Sequence, residues 1–456
     1  MREMSKDSHG GKPQKGSMDL LNGKVSTTMW KLTIPMVFAM MAMVLFNFVD
    51  AVYVGQLGRD ELAAITFTFP VVFFFASIMG GLGMGATSII SRTLGAGDKE
   101  RAARLTTDSL LLAITVAVIS MLVGLATIEP LFRILNVNPD LFPMVKSYME
   151  IWYFGIPAVV IPMVGNAIIR ATGDTKIPMK IMLFAVGLNI ILDPFLIFGI
   201  GPFPRMGIRG AAVATVSARM VTTFLSIYVL VKIKKMVNWK LPTFRELIRS
   251  WWDVLYVGGP NAFVSALTPV SLGVITGVIS SMGKNVVAGY GAATRLEAIV
   301  IMPTIAFCTA LVPFVGQNFG SGKIHRVRKA IRLGYKAGLA YAIIVYSIFS
   351  VTAPLSARMF SSNPEVIRNF CYYLWLGGLG WMGLAISYIV TNSFNALGKP
   401  FPSFVITIIR VVVLLLPLAL MGAVFMGARG VFIGVAIAFG MAGLLAIVWL
   451  EKVIRK

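Results

Sequence analysis

Twelve apolar stretches dominate this chain, and each is longer than the roughly 20 residues that cross a bilayer as a helix. They run approximately 30–56, 61–91, 106–128, 144–169, 178–200, 210–232, 252–280, 285–318, 333–353, 366–396, 402–425 and 430–450. Hydrocarbon offers a backbone no hydrogen-bond partner, so each stretch must satisfy its own N–H and C=O groups as a helix. The expected fold is therefore an all-α membrane protein of twelve transmembrane helices. Composition agrees: 57% of residues are hydrophobic and 13% charged, where soluble proteins carry roughly 25% charged residues. Many of the stretches carry proline, among them Pro35, Pro70, Pro157, Pro194, Pro260, Pro269, Pro303, Pro313 and Pro417. The plain reading of most is a kink that neighbouring helices accommodate.

The net charge of +22 does not point to nucleic acid, because the basic residues lie between apolar runs instead of on one soluble face. Placing the N-terminal tail in the cytoplasm puts 29 of the 41 Lys/Arg on that side and 9 on the other, with Arg219, Arg295 and Arg410 inside spans. That bias obeys the positive-inside rule and sets both termini in the cytoplasm of a plasma-membrane protein. The polar, Gly/Lys-rich start has no closely following apolar core of a signal peptide. It reads as a mobile tail, with Leu20 to Met29 lying at the membrane interface.

The chain repeats itself at an offset of 225. Leu-Gly-Ala-Gly-Asp-Lys-Glu-Arg-Ala (94–102) matches Phe-Gly-Ser-Gly-Lys-Ile-His-Arg-Val (319–327), Gly58 matches Gly283, and Tyr148 matches Tyr373. The offset slips to 220 where Met206-Gly207-Ile208-Arg209-Gly210 matches Met426-Gly427-Ala428-Arg429-Gly430. Six spans separate equivalent positions, so the two six-helix lobes share one topology. The expected units are a cytoplasmic tail (1–28), an N-terminal lobe (29–232), a cytoplasmic linker (233–251), a C-terminal lobe (252–450) and a cytoplasmic C-terminus (451–456). Parallel repeats of this kind build transporters with a site between the halves.

Acids inside the spans are the candidate working groups. Asp193 sits in Gly-Leu-Asn-Ile-Ile-Leu-Asp-Pro-Phe-Leu-Ile-Phe-Gly (187–199), with Asn189 one turn earlier on the same face and Pro194 removing a backbone donor. Asp50 is the comparable acid of span 1. A membrane carboxylate faces a cavity, a partner or an ion, and neither aspartate has a Lys or Arg nearby in sequence. Pro35 shares a helix with Asp50, fifteen residues or about 22 Å away, and is a candidate conformational residue. Span 8 carries Arg295 and Glu297, which at i and i+2 do not face each other. Each either pairs elsewhere for structure or takes part in coupling.

The loop Ser91-Arg-Thr-Leu-Gly-Ala-Gly-Asp-Lys-Glu-Arg-Ala102, its echo Val315-Gly-Gln-Asn-Phe-Gly-Ser-Gly322, Arg170-Ala-Thr-Gly-Asp-Thr175 and Gly210-Ala-Ala-Val-Ala-Thr215 resemble motifs of the multidrug and toxic compound extrusion (MATE) family over about residues 20–450. The resemblance implies a V-shaped pair of six-helix lobes and export driven by a Na⁺ or H⁺ gradient, with no cofactor. Asp50 with Asn189 and Asp193 resembles the DinF-like branch; spans 7 and 10 lack the mid-span acids of the NorM-like branch. Tyr148 and Asn166 of span 4 are similar to family cavity positions, and Thr215 to a family-like position in span 6. Met163 belongs to a Met- and Phe-rich set that is mostly packing, or lines a cavity for variable apolar ligands.

The leading expectation is a monomeric antiporter, not an enzyme, that exports amphipathic, often cationic small molecules through the lipid bilayer. Its cation would be held by Asp50, Asn189, Asp193 and Thr215, which all offer oxygen to Na⁺, or by the two carboxylates sharing a proton. A flippase for a lipid-linked precursor is the alternative, but its pyrophosphate needs Arg and Lys in the cavity, and few lie mid-span. An intramembrane enzyme is disfavoured because no nucleophile–base pair or metal spacing appears. His9 and His325 lie in a tail and a loop, and Cys308 and Cys371 in apolar segments. A channel fits the parallel repeat with isolated acids less well than alternating access does.

Overall fold

Each apolar stretch forms helix. The computed structural model describes residues 18–240 and 242–455, with the side chains of 454 and 455 left undescribed. Residues 1–17, and with them His9 and most of the expected mobile tail, lie outside the described residues, as does residue 241 within the linker. The helices are α1 (Val25–Gly55), α2 (Arg59–Gly95), α3 (Lys99–Ile134), α4 (Phe142–Phe154), α5 (Ile156–Ala171), α6 (Lys176–Phe198) and α7 (Ile208–Tyr228) in the first lobe. The second has α8 (Phe244–Ser280), α9 (Lys284–Gly320), α10 (Ile324–Arg358), α11 (Pro364–Leu376), α12 (Trp381–Ala396), α13 (Pro400–Ile408) and α14 (Leu416–Arg455). His325 lies in the first turn of α10, not in a loop.

These helices make twelve crossings. α4 and α5 form one span bent by 48°. The break has a cause: Pro157 has no N–H to give the Tyr153 carbonyl. The repeat reproduces the break without proline, as a 3₁₀ turn at Gly377–Gly380 between α11 and α12. A π-helical stretch, Ile409–Leu415, joins α13 to α14. The resulting continuous segment from Pro400 folds back at Gly427 (φ 59°, ψ −140°). Gly430 and Gly434 on the returning arm press against the backbone of Gly422 and Leu418, so the segment is a hairpin of two spans. Gly207, its repeat partner, has nearly the same backbone (φ 55°, ψ −132°), a left-handed region that favours glycine.

The lobes join at one end. Gly95 of α2 lies against the Gln317 carbonyl of α9, and Gly320 of α9 against the Arg92 carbonyl of α2. Arg92 and Gly95 are the repeat partners of Gln317 and Gly320, so this contact sits on the pseudo-twofold axis. Around it Ser88 donates to the Asn395 carbonyl, and Gln317 Nε2 to the Ala171 carbonyl at 2.7 Å. Farther along α2, Gly81 and Gly85 meet α8 at Gly258 and Val254. Toward the opposite end the two lobes have separate cores. One is built around Ile65, Phe75 and Tyr153, the other around Ile279, Tyr290 and Phe432. The molecule is sealed at the Gly95/Gly320 end and parted at the other.

Two segments outside the spans are held against the lobes. Leu20 and Met29, expected at the membrane interface, are both buried within the protein. Residues 18–24 form a strap across the seal. The Leu20 side chain packs on Gly173 of the first lobe. The Leu20 carbonyl accepts from Asn318 Nδ2 at 3.0 Å and from Arg326 Nη2 at 3.1 Å in the second. Lys323 Nζ donates to the Leu21 carbonyl at 3.1 Å. The linker is likewise pinned. Lys234 and Asp174 make a buried ion pair at 2.8 Å. Asn238 N–H donates to Thr107 Oγ1 at 2.9 Å, and Trp251 Nε1 to the Asp108 carbonyl at 3.0 Å. Its second half is already helix, since the Thr243/Glu246 capping box starts α8 at Phe244.

Candidate functional site

Depth can be counted from the helix ends. Asp50 lies five residues before the end of α1, and Asp193 five before the end of α6. Both are then about 8 Å from the parted end. Tyr148 lies six residues into α4, which starts at that end, so it reaches about the same depth, roughly 9 Å. α1 packs on α6, and α6 and α4 both pack on α7, which brings the three side chains together.

Asp193 is completely buried and Asn189 nearly so. Asn189 Nδ2 donates to Asp193 Oδ1 at 3.2 Å. Asp50 is near enough for its charge to act on Asp193, and both act on the Tyr148 hydroxyl. Three buried oxygens have no hydrogen-bond partner among the described residues: Asp50 Oδ1, Asn189 Oδ1 and Asp193 Oδ2. All three are acceptors when the carboxylates are ionised. A buried acceptor left unpaired is costly, and these three lie on the packed pair α1 and α6 with no ion-pair partner for either aspartate among the described residues. Arg219 does not supply one, because it makes no ion pair with either aspartate among the described residues. Its guanidinium lies over the Phe46 ring at 5.7 Å, with a nitrogen 3.8 Å from Met43 Sδ.

The other candidates separate. Thr215 lies at similar depth on α7 and is half-buried, but it makes no hydrogen bond to the aspartates among the described residues. Asn166 and Met163 are on α5, beyond the bend and toward the sealed end. Asn166 Oδ1 accepts from Ser226 Oγ at 3.3 Å, and Met163 packs against the first lobe's core. Tyr148, read from the sequence as a cavity residue, stands beside the acids. Pro35 is buried within an α1 that runs unbroken. Arg295 is exposed, whereas Glu297 is half-buried and accepts from the Tyr373 hydroxyl. Tyr373 is the repeat partner of Tyr148. The second lobe thus presents a carboxylate to the equivalent tyrosine, from span 8 in place of spans 1 and 5.

A family model described as MatE matches residues 35–195 and again 260–421, two copies set 225 residues apart. The chain belongs to the MATE family. It is 34% identical over 440 residues to a protein of Shewanella oneidensis named FAD transporter, covering 96% of this chain and 95% of that one. It is 28% identical over 416 residues to the probable multidrug resistance protein NorM of Thermotoga maritima, covering 89% and 87%. The crystal structure of the Vibrio cholerae MATE transporter VcmN in the bent form superposes with a TM-score of 0.89 at 26% identity, covering 94% and 97%. MATE proteins are secondary transporters, not enzymes.

Proposed function

We propose that this MATE protein is a cation-coupled exporter that works as a monomer in the plasma membrane and expels amphipathic small molecules. The coupling cation, Na⁺ or H⁺, binds among Asp50, Asn189 and Asp193, with Tyr148 beside them and Thr215 within the same layer. The observation that carries this reading is three unpartnered buried oxygens on α1 and α6, with Asp50 near enough to Asp193 for its charge to act there and no ion pair to either aspartate among the described residues. Either ion removes the electrostatic cost of that cluster, and a state that binds the ion better gains population when it binds. On this reading the lobes are residues 29–232 and 252–450, with 233–251 as linker, and the pattern of Asp50, Asn189 and Asp193 supports the DinF-like branch. The names of its relatives support export of aromatic, amphipathic cargo.

Transport in proteoliposomes under separately imposed Na⁺ and pH gradients tests the reading. Efflux of a fluorescent cargo should follow one gradient and ignore the other; indifference to both would sink the coupling. The sealed end is cytoplasmic by charge, so a single cysteine at Lys99 should be labelled only from the cytoplasm and one at Lys284 only from outside. Reversed labelling would invert the topology.

Pro35 sets a second expectation. Its missing N–H leaves a loose point in α1, between the strap and Asp50. Pro35→Ala should lower turnover about threefold or more with little change in cargo affinity, within the range of typical coupling energies. Unchanged turnover would leave Pro35 as packing alone.

A further inference from the structure

Arg295 is a charged group within a span that this ion-coupling scheme does not use. It lies in α9, eleven residues or about 16 Å from the tip at Lys284. An arginine at such depth is costly against lipid tails and faces water or a partner instead. No carboxylate lies within ion-pair distance of it among the described residues. Glu297 points to the far side of the helix, held by Tyr373.

The helix phase says which way Arg295 faces. At about 100° per residue, Gly316, Gln317 and Gly320 all fall within about 60° of Arg295 on the wheel of α9. Those residues meet the other lobe at Ser91, Gly95 and Arg92. Carried through Pro303 and Pro313, this phase sets the exposed Arg295 on the side of α9 that meets the other lobe, above the seal. The stripe around it fits that position: Lys284 and Ala288 are exposed, Gly291 has open space, and Ile299 is 55% exposed. It is a small-residue and apolar stripe with a guanidinium in its middle and an ammonium at its end.

We propose that Arg295 is the anion-recognising residue of the interlobe cleft, selecting amphipathic aromatic cargo that carries a phosphate or similar anionic group. The proposal rests on the export reading above and assigns the cargo's charge. The fork of five N–H donors matches phosphate oxygens in pairs. The flat neighbours Ala288 and Gly291 leave room for a planar ring, with Ile299 as its apolar bed. A cationic cargo would meet like charge at Arg295, against the expectation of cationic substrates that the sequence suggested.

Flavins separate charge from shape. Riboflavin, flavin mononucleotide and FAD share one ring system and differ in phosphate, and quenching of flavin fluorescence reads binding to the purified protein without any gradient. The wild type should bind the two phosphate-bearing flavins at least about tenfold more tightly than riboflavin, a difference near ~1.4 kcal/mol. Arg295→Gln should erase that preference while leaving riboflavin binding unchanged, and Arg295→Lys should keep part of it. Added salt should weaken the phosphate-bearing ligands selectively. Three results overturn the assignment: no phosphate preference in the wild type, equal loss of all three flavins in Arg295→Gln with Arg295→Lys no better, or tighter binding of tetraphenylphosphonium than of FAD. Gradient-driven efflux of tetraphenylphosphonium with no flavin binding would sink this inference and leave the export reading standing. Flavin binding of the expected pattern with no gradient-driven efflux would do the reverse.

Discussion

Asp193→Asn is expected to cut gradient-driven export at least about tenfold, within the usual range of coupling free energies, while the protein inserts and purifies as the wild type does. The substitution keeps shape and keeps a partner for Asn189, whose Nδ2 now donates to the carboxylate. It removes one of two charges in a cluster whose remaining oxygens have no donor among the described residues. Without that charge the cluster no longer gains from a cation, so ion binding stops biasing one state of the lobe over the other. Asp50→Asn should behave alike, and the double variant should be no worse than either single one, because two groups that share one ion act as a unit. Cargo binding at equilibrium should survive in all three. If Asp193→Asn transports at wild-type rate under the driving gradient, or if the double variant falls well below both singles, the shared site is wrong.

Much of this architecture was legible in one sequence because it rests on local rules. Span length follows from bilayer thickness, and the twelve stretches recur as twelve crossings. The offset of 225 needed only matched glycine loops, and the family model falls on the chain twice at that spacing. Gly207 and Gly427 were visible as a matched pair, and both take the left-handed backbone at the start of a returning helix. What stayed hidden depends on which faces meet. Tyr148 joins the acids because α4 and α6 share α7 as a neighbour, and no periodicity within span 4 records that. Its pairing with Tyr373 was a usable signal: one tyrosine of each lobe stands next to a membrane carboxylate. The strap was missed for a similar reason. Leu20 in a polar tail reads as an interfacial residue until Gly173 and Arg326 are placed on either side of it. The linker's charge marked it as cytoplasmic, but its anchors on Thr107 and Asp108 come from α3, more than a hundred residues earlier.

Gly95 and Gly320 carry the second large expected effect. A methyl group on Gly95 would collide with the Gln317 carbonyl oxygen, and one on Gly320 with the Arg92 carbonyl oxygen. These obstacles are backbone atoms, so no side-chain rotation relieves them, and the helices must move apart. The seal forms only when the lobes close at this end, so the clash penalises one conformation of the transport cycle and spares the other. The doubly substituted protein, Gly95→Ala with Gly320→Ala, should therefore fold but occupy the state open at the sealed end. A reporter cysteine at Ser88, whose hydroxyl now donates to the Asn395 carbonyl, should be labelled about tenfold faster than in a Ser88→Cys control with both glycines present, and export should fall by a comparable factor. Because the two glycines are repeat partners, either single substitution should give part of the effect. The strap should act in the same direction but more weakly. Arg326→Gln removes the donors to the Leu20 and Gly23 carbonyls and leaves Asn318 and Lys323 in place, so it should speed labelling only a few-fold, since each such bond is worth about 1 kcal/mol. Unchanged labelling at Ser88 in the double-glycine protein would show that the lobes do not part at this end, and alternating access would then need another hinge.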